Sequence, residues 1–122
     1  MNPAEDLLSV HLAELGLHFE RQYAYAKGRR FKADFAVWQP WGVGNYRYLI
    51  PGQGYPGLRL CLIEVTGGIY SKQAHGSVTG VLKDNERLFE AFKAGWHMIR
   101  VTPQQVGSGE AKRMISEALH GS

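Results

Sequence analysis

Residues 58–65 read LRLCLIEV, and this stretch decides the fold. Side chains alternate between the two faces of an extended chain, and here both faces are apolar: Leu58, Leu60 and Leu62 on one, Cys61, Ile63 and Val65 on the other. Such a strand is typical of the interior of a sheet that helices cover on both sides. We therefore predict a central strand, with Glu64 as an acid near its end.

The patterns on either side of this strand predict a single α/β domain over residues 1–122. Leucines at helical spacing end at Gly16, and a second apolar stripe, formed by Val81, Leu82, Leu88, Phe89 and Phe92, is stopped by Gly95. The other predicted elements follow period-two or helical spacing. In chain order we expect a helix at 3–16, strands at 19–25 and 31–37, the central strand, a helix at 80–94 that crosses the sheet, a strand at 97–101, a turn or short helix from Pro103, and a helix at 109–119.

Residues 39–57 are rich in glycine, proline and aromatic side chains, which predicts an elaborated loop or hairpin with a possible short strand at 46–50. Aromatic residues interleaved with Arg47 can stack on unpaired bases, and they can equally pack a hairpin or a dimer contact. The sequence leaves these alternatives open for Trp38, Trp41, Tyr46, Tyr48 and Tyr55.

The composition is that of an ordinary globular chain, with 44% hydrophobic and 20% charged residues. The net charge of +3 suits a polyanionic partner but is common among unrelated proteins. Cys61 is the only cysteine, so no intramolecular disulfide can form. No apolar run is long enough for a membrane span, and the N-terminus has no features of a secretory signal. We therefore expect a cytoplasmic protein that does not bind membranes.

Two acids lie in apolar strands. Asp34 shares a strand face with Lys32 and Ala36, and Glu64 lies near the end of the most apolar strand. A buried carboxylate without a partner costs on the order of several kcal/mol, so a cation should lie near Glu64. If the two strands are neighbours, both acids can converge on one divalent cation, which prefers oxygen ligands. The alternative is that they form ion pairs with Arg29 or Arg30.

Three stretches carry a resemblance to a known family: 29–36 (RRFKADFA), 63–70 (IEVTGGIY) and 95–103 (GWHMIRVTP). In this order and strand context the chain resembles PD-(D/E)xK superfamily nucleases, in particular small phage and bacterial endonucleases of the very-short-patch-repair and Holliday-junction-resolvase type. His75 and residues 84–87 also occupy places where relatives have a histidine, an acid and a basic residue. The resemblance covers residues 17–106.

The resemblance implies a restriction-endonuclease-like fold, in which helices flank a mixed central β-sheet, and a metal-dependent endonuclease that hydrolyses phosphodiester bonds of DNA. It implies Mg²⁺ or Mn²⁺ held by Asp34, Glu64 and the Val65 carbonyl. Glu20 is a further candidate ligand, expected to approach the metal from the end of the first helix. The ion would activate a water and neutralise charge on the scissile phosphate.

Basic residues near the acids are the candidates for phosphate contact: Arg29, Arg30, Lys32, Lys72 and Lys83. Lys32 is also a catalytic candidate, and His75 is a candidate general acid or phosphate ligand. Each has an ordinary alternative, because charged turns and loop histidines are usually just solvated.

Thr66 departs from the family pattern. Relatives usually have Lys or Glu at this position, two residues after the strand glutamate. A spacing of two puts that residue on the same face of the strand as the glutamate. Threonine can hydrogen-bond a water or a phosphate but supplies neither a positive charge nor a carboxylate. This leaves two alternatives to an active nuclease: a nuclease-fold DNA-binding protein with weak or no catalysis, and a phage protein-interaction module that uses the aromatic segment. A homodimer is compatible with single-site cleavage of both strands.

Overall fold

A computed structural model describes residues 2–38, 60–66 and 78–120. The order of helices and strands agrees with the predicted order, and the expected hairpin at 39–57 lies outside the described residues. The elements are α1 (Pro3–Glu14), β1 (His18–Ala24), β2 (Lys32–Trp38), β3 (Leu60–Val65), α2 (Val78–Lys93), β4 (His97–Val101), α3 (Pro103–Ser108) and α4 (Glu110–His120).

Local sequence signals explain where the first helices begin and end. The Asn2 side chain caps α1 by accepting hydrogen bonds from the backbone N–H groups of Ala4 and Glu5. Beyond α1 and α2, Gly16 and Gly95 have φ of 72° and 89°, left-handed values that glycine adopts without strain. Both stop signals in the sequence therefore lie where the helices end.

The four described strands form one mixed sheet in the order β1-β2-β3-β4. The β1–β2 and β2–β3 pairs are antiparallel, whereas β3 and β4 are parallel and are connected through α2. The predicted central strand, β3, has a neighbour on each side, and its side chains from Leu60 to Glu64 are buried. Its position explains why both of its faces are apolar.

Helices cover the sheet on both faces. On one face α1, α3 and α4 enclose a core that includes Leu8, Phe35, Ile63 and Ile115. On the other face α2 covers a second core. Its members include small and aromatic residues: Tyr25, Ala33, Ala36, Trp38, Leu62, Ala91 and Trp96. The described residues thus form an α/β structure in which helices flank a four-stranded mixed sheet. No helix among them is long and apolar enough to cross a bilayer.

The alternation of faces in β1 and β2 is interrupted at one point. Gln22 has φ of 52°, which is uncommon for a residue with a side chain. Beyond it, Tyr23 and its cross-strand partner Ala33 both pack in the second core, whereas regular alternation would place Ala33 on the same face as Phe35, in the first core. The irregularity lies beside Asp34, so the sheet is locally distorted at the candidate site.

The apolar stripe of α2 is not the face that packs on the sheet. Its five side chains are exposed, whereas Ala91 on another face of the helix is buried in the second core. Trp38 and Trp96 stand edge to face at 5.7 Å between their ring centroids and fill much of the space under the helix. A small alanine therefore suffices for contact there.

Candidate functional site

Asp34 lies on β2 where it faces the end of β3. The β2–β3 pairing runs from Trp38–Leu60 to Phe35–Ile63, so Asp34 lies one residue beyond the last pair, beside the end of β3. The Val65 N–H donates to Asp34 Oδ2 at 2.8 Å, and Gln22 Nε2 donates to Oδ1 at 3.5 Å. Burial raises the pKa of Asp34, and the charge of Glu64 raises it further, while the hydrogen bond from Val65 opposes the shift. Asp34 is therefore a carboxylate held in a setting that disfavours its charge.

Glu64 is buried and has the cationic neighbours that its position demands. Arg87 Nη2, from α2, donates to Glu64 Oε2, and Arg100 Nε, from β4, donates to Oε1 at 3.2 Å. The partners are thus two arginines that lie beyond Glu64 in the chain. The alternative pairing with Arg29 is wrong for Glu64, because Arg29 forms ion pairs with two acids of α2.

The two arginines also connect neighbouring elements around Glu64. Arg100 holds Asp84 of α2 through two hydrogen bonds of 2.7 and 2.6 Å, which raise the pKa of Arg100. Arg87 Nη2 donates to the Lys32 carbonyl oxygen at 2.9 Å. The result is a network that fixes α2 against β2, β3 and β4.

Glu5 is an acid near Asp34 that the sequence analysis missed. Gln22 Nε2 donates to Glu5 Oε1 at 3.4 Å and to Asp34, so one amide bridges the two carboxyl groups. Burial and the charge of Asp34 raise the pKa of Glu5. Its sequence position carries no functional signal, because acids are common in the first turn of a helix. Only the packing of α1 beside β1 reveals it.

Glu20 does not lie at the end of the first helix, so that expectation is wrong. It lies within β1, where it pairs with Ala36 and is exposed. The helix ends earlier, at Glu14, because Gly16 follows and β1 begins at His18. The acid of the first helix that approaches Asp34 is Glu5.

The remaining candidates are dispersed. Thr66 is turned towards β4, since its N–H donates to the Val101 carbonyl at 2.8 Å and its Oγ1 lies 3.4 Å from the same oxygen. Arg30, Lys32 and Lys83 are exposed on the turn before β2, on β2 and on α2. Lys72 and His75 lie outside the described residues.

The donor set around Asp34 suits a hard divalent cation with few protein ligands. Across residues 2–38, 60–66 and 78–120, no group of three or more His, Cys, Asp or Glu side chains is arranged to hold a metal ion. Mg²⁺, however, usually retains several waters and binds through one or two carboxylates. Asp34 and Glu64 supply two carboxylates, and each Glu64 oxygen has lone pairs beyond the one that its arginine occupies. The residues present therefore fit such an ion.

Comparisons of the chain with models of protein families, with curated proteins and with solved structures find no match. The described architecture defines the class only as a mixed α/β protein, with Asp34 on β2 near the end of β3 that carries Glu64. The function must therefore be inferred from the geometry and chemistry of these residues.

Proposed function

We propose that this protein is a metal-dependent DNA endonuclease with a restriction-endonuclease-like fold. The observation that carries the proposal is the position of Asp34: it is half-buried, has a raised pKa, and is hydrogen-bonded to Val65 of the next strand, where the charge of Glu64 acts on it. Among the described residues Glu64 has two arginine partners, whereas Asp34 accepts from a backbone N–H and a neutral amide. A desolvated carboxylate such as Asp34 is stabilised by a cation, and such perturbed groups concentrate at functional sites.

The arrangement of the sheet supports the proposal. The three stretches that resemble PD-(D/E)xK nucleases include parts of β2, β3 and β4, which are neighbours in the sheet. Strand residues from distant parts of the chain thus meet around one pair of acids. The mixed sheet with helices on both faces is also what the resemblance implies.

Asp34, Glu64 and the Val65 carbonyl would hold Mg²⁺ or Mn²⁺, with Glu5 as a further carboxylate beside them. When bound, the ion lowers the pKa of a water and neutralises charge on the scissile phosphate. Gln22 orients the carboxyl groups of Asp34 and Glu5 through its amide.

The arginine network has a positioning role in this proposal. Arg87 and Arg100 fix the Glu64 side chain, so its carboxylate needs little reorganisation to act as a ligand. Lys32 is exposed two residues before Asp34, and among the described residues it is the side chain that we assign to phosphate contact.

A second candidate function is DNA binding without cleavage. Two observations favour it: both Glu64 oxygens are already engaged by arginines, and Thr66 hydrogen-bonds to β4. A carboxylate neutralised in this way is a complete structural ion pair. The two functions share a surface and differ in whether a metal ion completes the site.

Plasmid and branched DNA incubated with the protein in Mg²⁺, Mn²⁺ or EDTA test the proposal. We expect nicking or cutting that requires the divalent ion and is lost in Asp34→Asn. The matched control is Glu14→Gln, which removes an exposed acid of α1 that forms a surface ion pair with Lys112 at 2.9 Å. This variant should cleave DNA like the parent protein. Activity that persists in Asp34→Asn would overturn the assigned site.

Absence of cleavage on every substrate would reject the endonuclease. In that case, tight binding that weakens steeply with salt would select the DNA-binding function. Failure to bind nucleic acid at low salt would instead point to a protein-interaction module.

A further inference from the structure

The outer face of α2 carries an apolar stripe that the described structure leaves exposed. Its side chains are between 42% and 80% exposed: Val81, Leu82, Leu88, Phe89 and Phe92. Residues three, four, seven and eight positions apart share one face of a helix, and these five fall on one such face. The opposite side of α2 is engaged with the sheet through Arg87 and Ala91.

We propose that this stripe binds a second copy of the same chain, with the two α2 helices antiparallel about a two-fold axis beside Asn85. The proposal does not depend on the nuclease function. It rests on the exposed stripe, on the symmetry of its spacing and on the area that it offers.

The spacing of the stripe is symmetric about Asn85. Leu82 and Leu88 lie three residues to either side, and Val81 and Phe89 lie four residues to either side. An interface with two-fold symmetry uses the same patch on both copies, and the two helices run in opposite directions. The patch must therefore be complementary to itself when its direction is reversed. Antiparallel helices centred on Asn85 meet this condition. Leu82 of one copy then faces Leu88 of the second copy, and Val81 faces Phe89.

Asn85 itself supports this register. It lies on the apolar face, and it is exposed. A single asparagine in an apolar helical seam specifies register, because its amide is satisfied only opposite another polar group. On a two-fold axis Asn85 meets its own copy, and the two amides can donate to and accept from each other.

The area is sufficient for a specific contact. Two phenylalanines and three aliphatic side chains at these exposures offer on the order of 500 Å² of apolar surface per copy. An isologous pair that covers all five side chains would then bury roughly 1,000 Å², which is the size of a weak, transient interface. We therefore expect a reversible dimer with a dissociation constant in the micromolar range.

Sedimentation equilibrium of the whole chain from about 1 to 100 µM tests association, since this range brackets micromolar affinities. We expect a monomer–dimer equilibrium, weakened about 30-fold or more in Phe89→Glu, because a buried aromatic anchor is typically a hot spot. The control is Val10→Glu, which replaces an apolar side chain on α1 that is 52% exposed, against 60% for Phe89, and should leave association unchanged. Circular dichroism verifies that both variants are folded.

Cysteine cross-linking tests the register. Asn85→Cys should form an intermolecular disulfide under mild oxidation, because its two copies meet at the axis, whereas Lys83→Cys, on another side of the helix, should not. Cys61 is buried and does not interfere. A chain that is monomeric at 100 µM, a dimer unaffected by Phe89→Glu, or equal cross-linking at both positions would overturn the proposal.

Discussion

Replacing Arg100 with methionine should destabilise the fold more than any exposed charge substitution. The change keeps much of the apolar stem but removes two hydrogen bonds to Asp84 and one to Glu64. Glu64 is left buried with Arg87 as its remaining arginine partner, and Asp84 loses its bidentate partner.

The magnitude follows from the burial of the groups. Removing one partner of a buried ion pair costs about 3–5 kcal/mol. The side chains of Arg100 and Asp84 are 27% and 26% exposed, so solvent can partly solvate the carboxylate that is left. We therefore expect a loss of about 2–3 kcal/mol in the free energy of unfolding, and a fall in Tm of roughly 10 °C for a chain of this size.

Urea denaturation followed by far-UV circular dichroism measures this loss. The matched control is Arg113→Met, which removes an exposed helical pair with Glu117 and should change the free energy of unfolding by less than about 0.5 kcal/mol. A double-mutant cycle with Asp84→Asn should give a coupling energy of at least about 1 kcal/mol. If Arg100→Met behaves like the control, the network does not hold α2 on the sheet and the reasoning is refuted.

Two further predictions concern individual ionisable groups. Asp34→Asn should stabilise the metal-free protein at pH 7, because a raised pKa means that the charged carboxylate opposes folding. The gain should shrink as the pH falls through that raised pKa, and a series of urea denaturations from pH 7 downwards checks the sign; a gain that grows on acidification would contradict it. Burial raises the pKa of Cys61 to about 12, so a thiol reagent at pH 8 should react with this residue only when the protein unfolds. The absorbance of the reaction product, recorded with and without urea, measures this. Fast reaction of the native protein would contradict the burial.

The fold was predictable where periodicity is decisive. The stretch 58–65 is apolar on both faces, which only an interior strand accommodates, and β3 is interior. The stripe of α2 predicted a helix but could not predict its packing face. Trp38 on β2 and Trp96, just before β4, pack in the core that α2 covers, and the helix contributes Ala91 to that core while its large apolar side chains are exposed.

The candidate site was predictable only in part. The cost of burying Glu64 implied a cation, and arginines are present. Their identity was not predictable, because Arg87 and Arg100 lie 23 and 36 residues away and meet Glu64 only through the β3–α2–β4 crossover. Glu5 was missed for a similar reason, since its approach to Asp34 depends on how α1 packs beside β1.

A crystal soaked in Mn²⁺ tests the central claim most directly. Anomalous scattering locates the ion without reference to activity, and Asp34→Asn crystals provide the control. We predict a peak bound by the Asp34 carboxylate and the Val65 carbonyl, with Glu64 as the neighbouring ligand, and no peak in the variant. A parent crystal in which Asp34 binds no ion, and Glu64 remains bound only to Arg87 and Arg100, would contradict the proposed metal site.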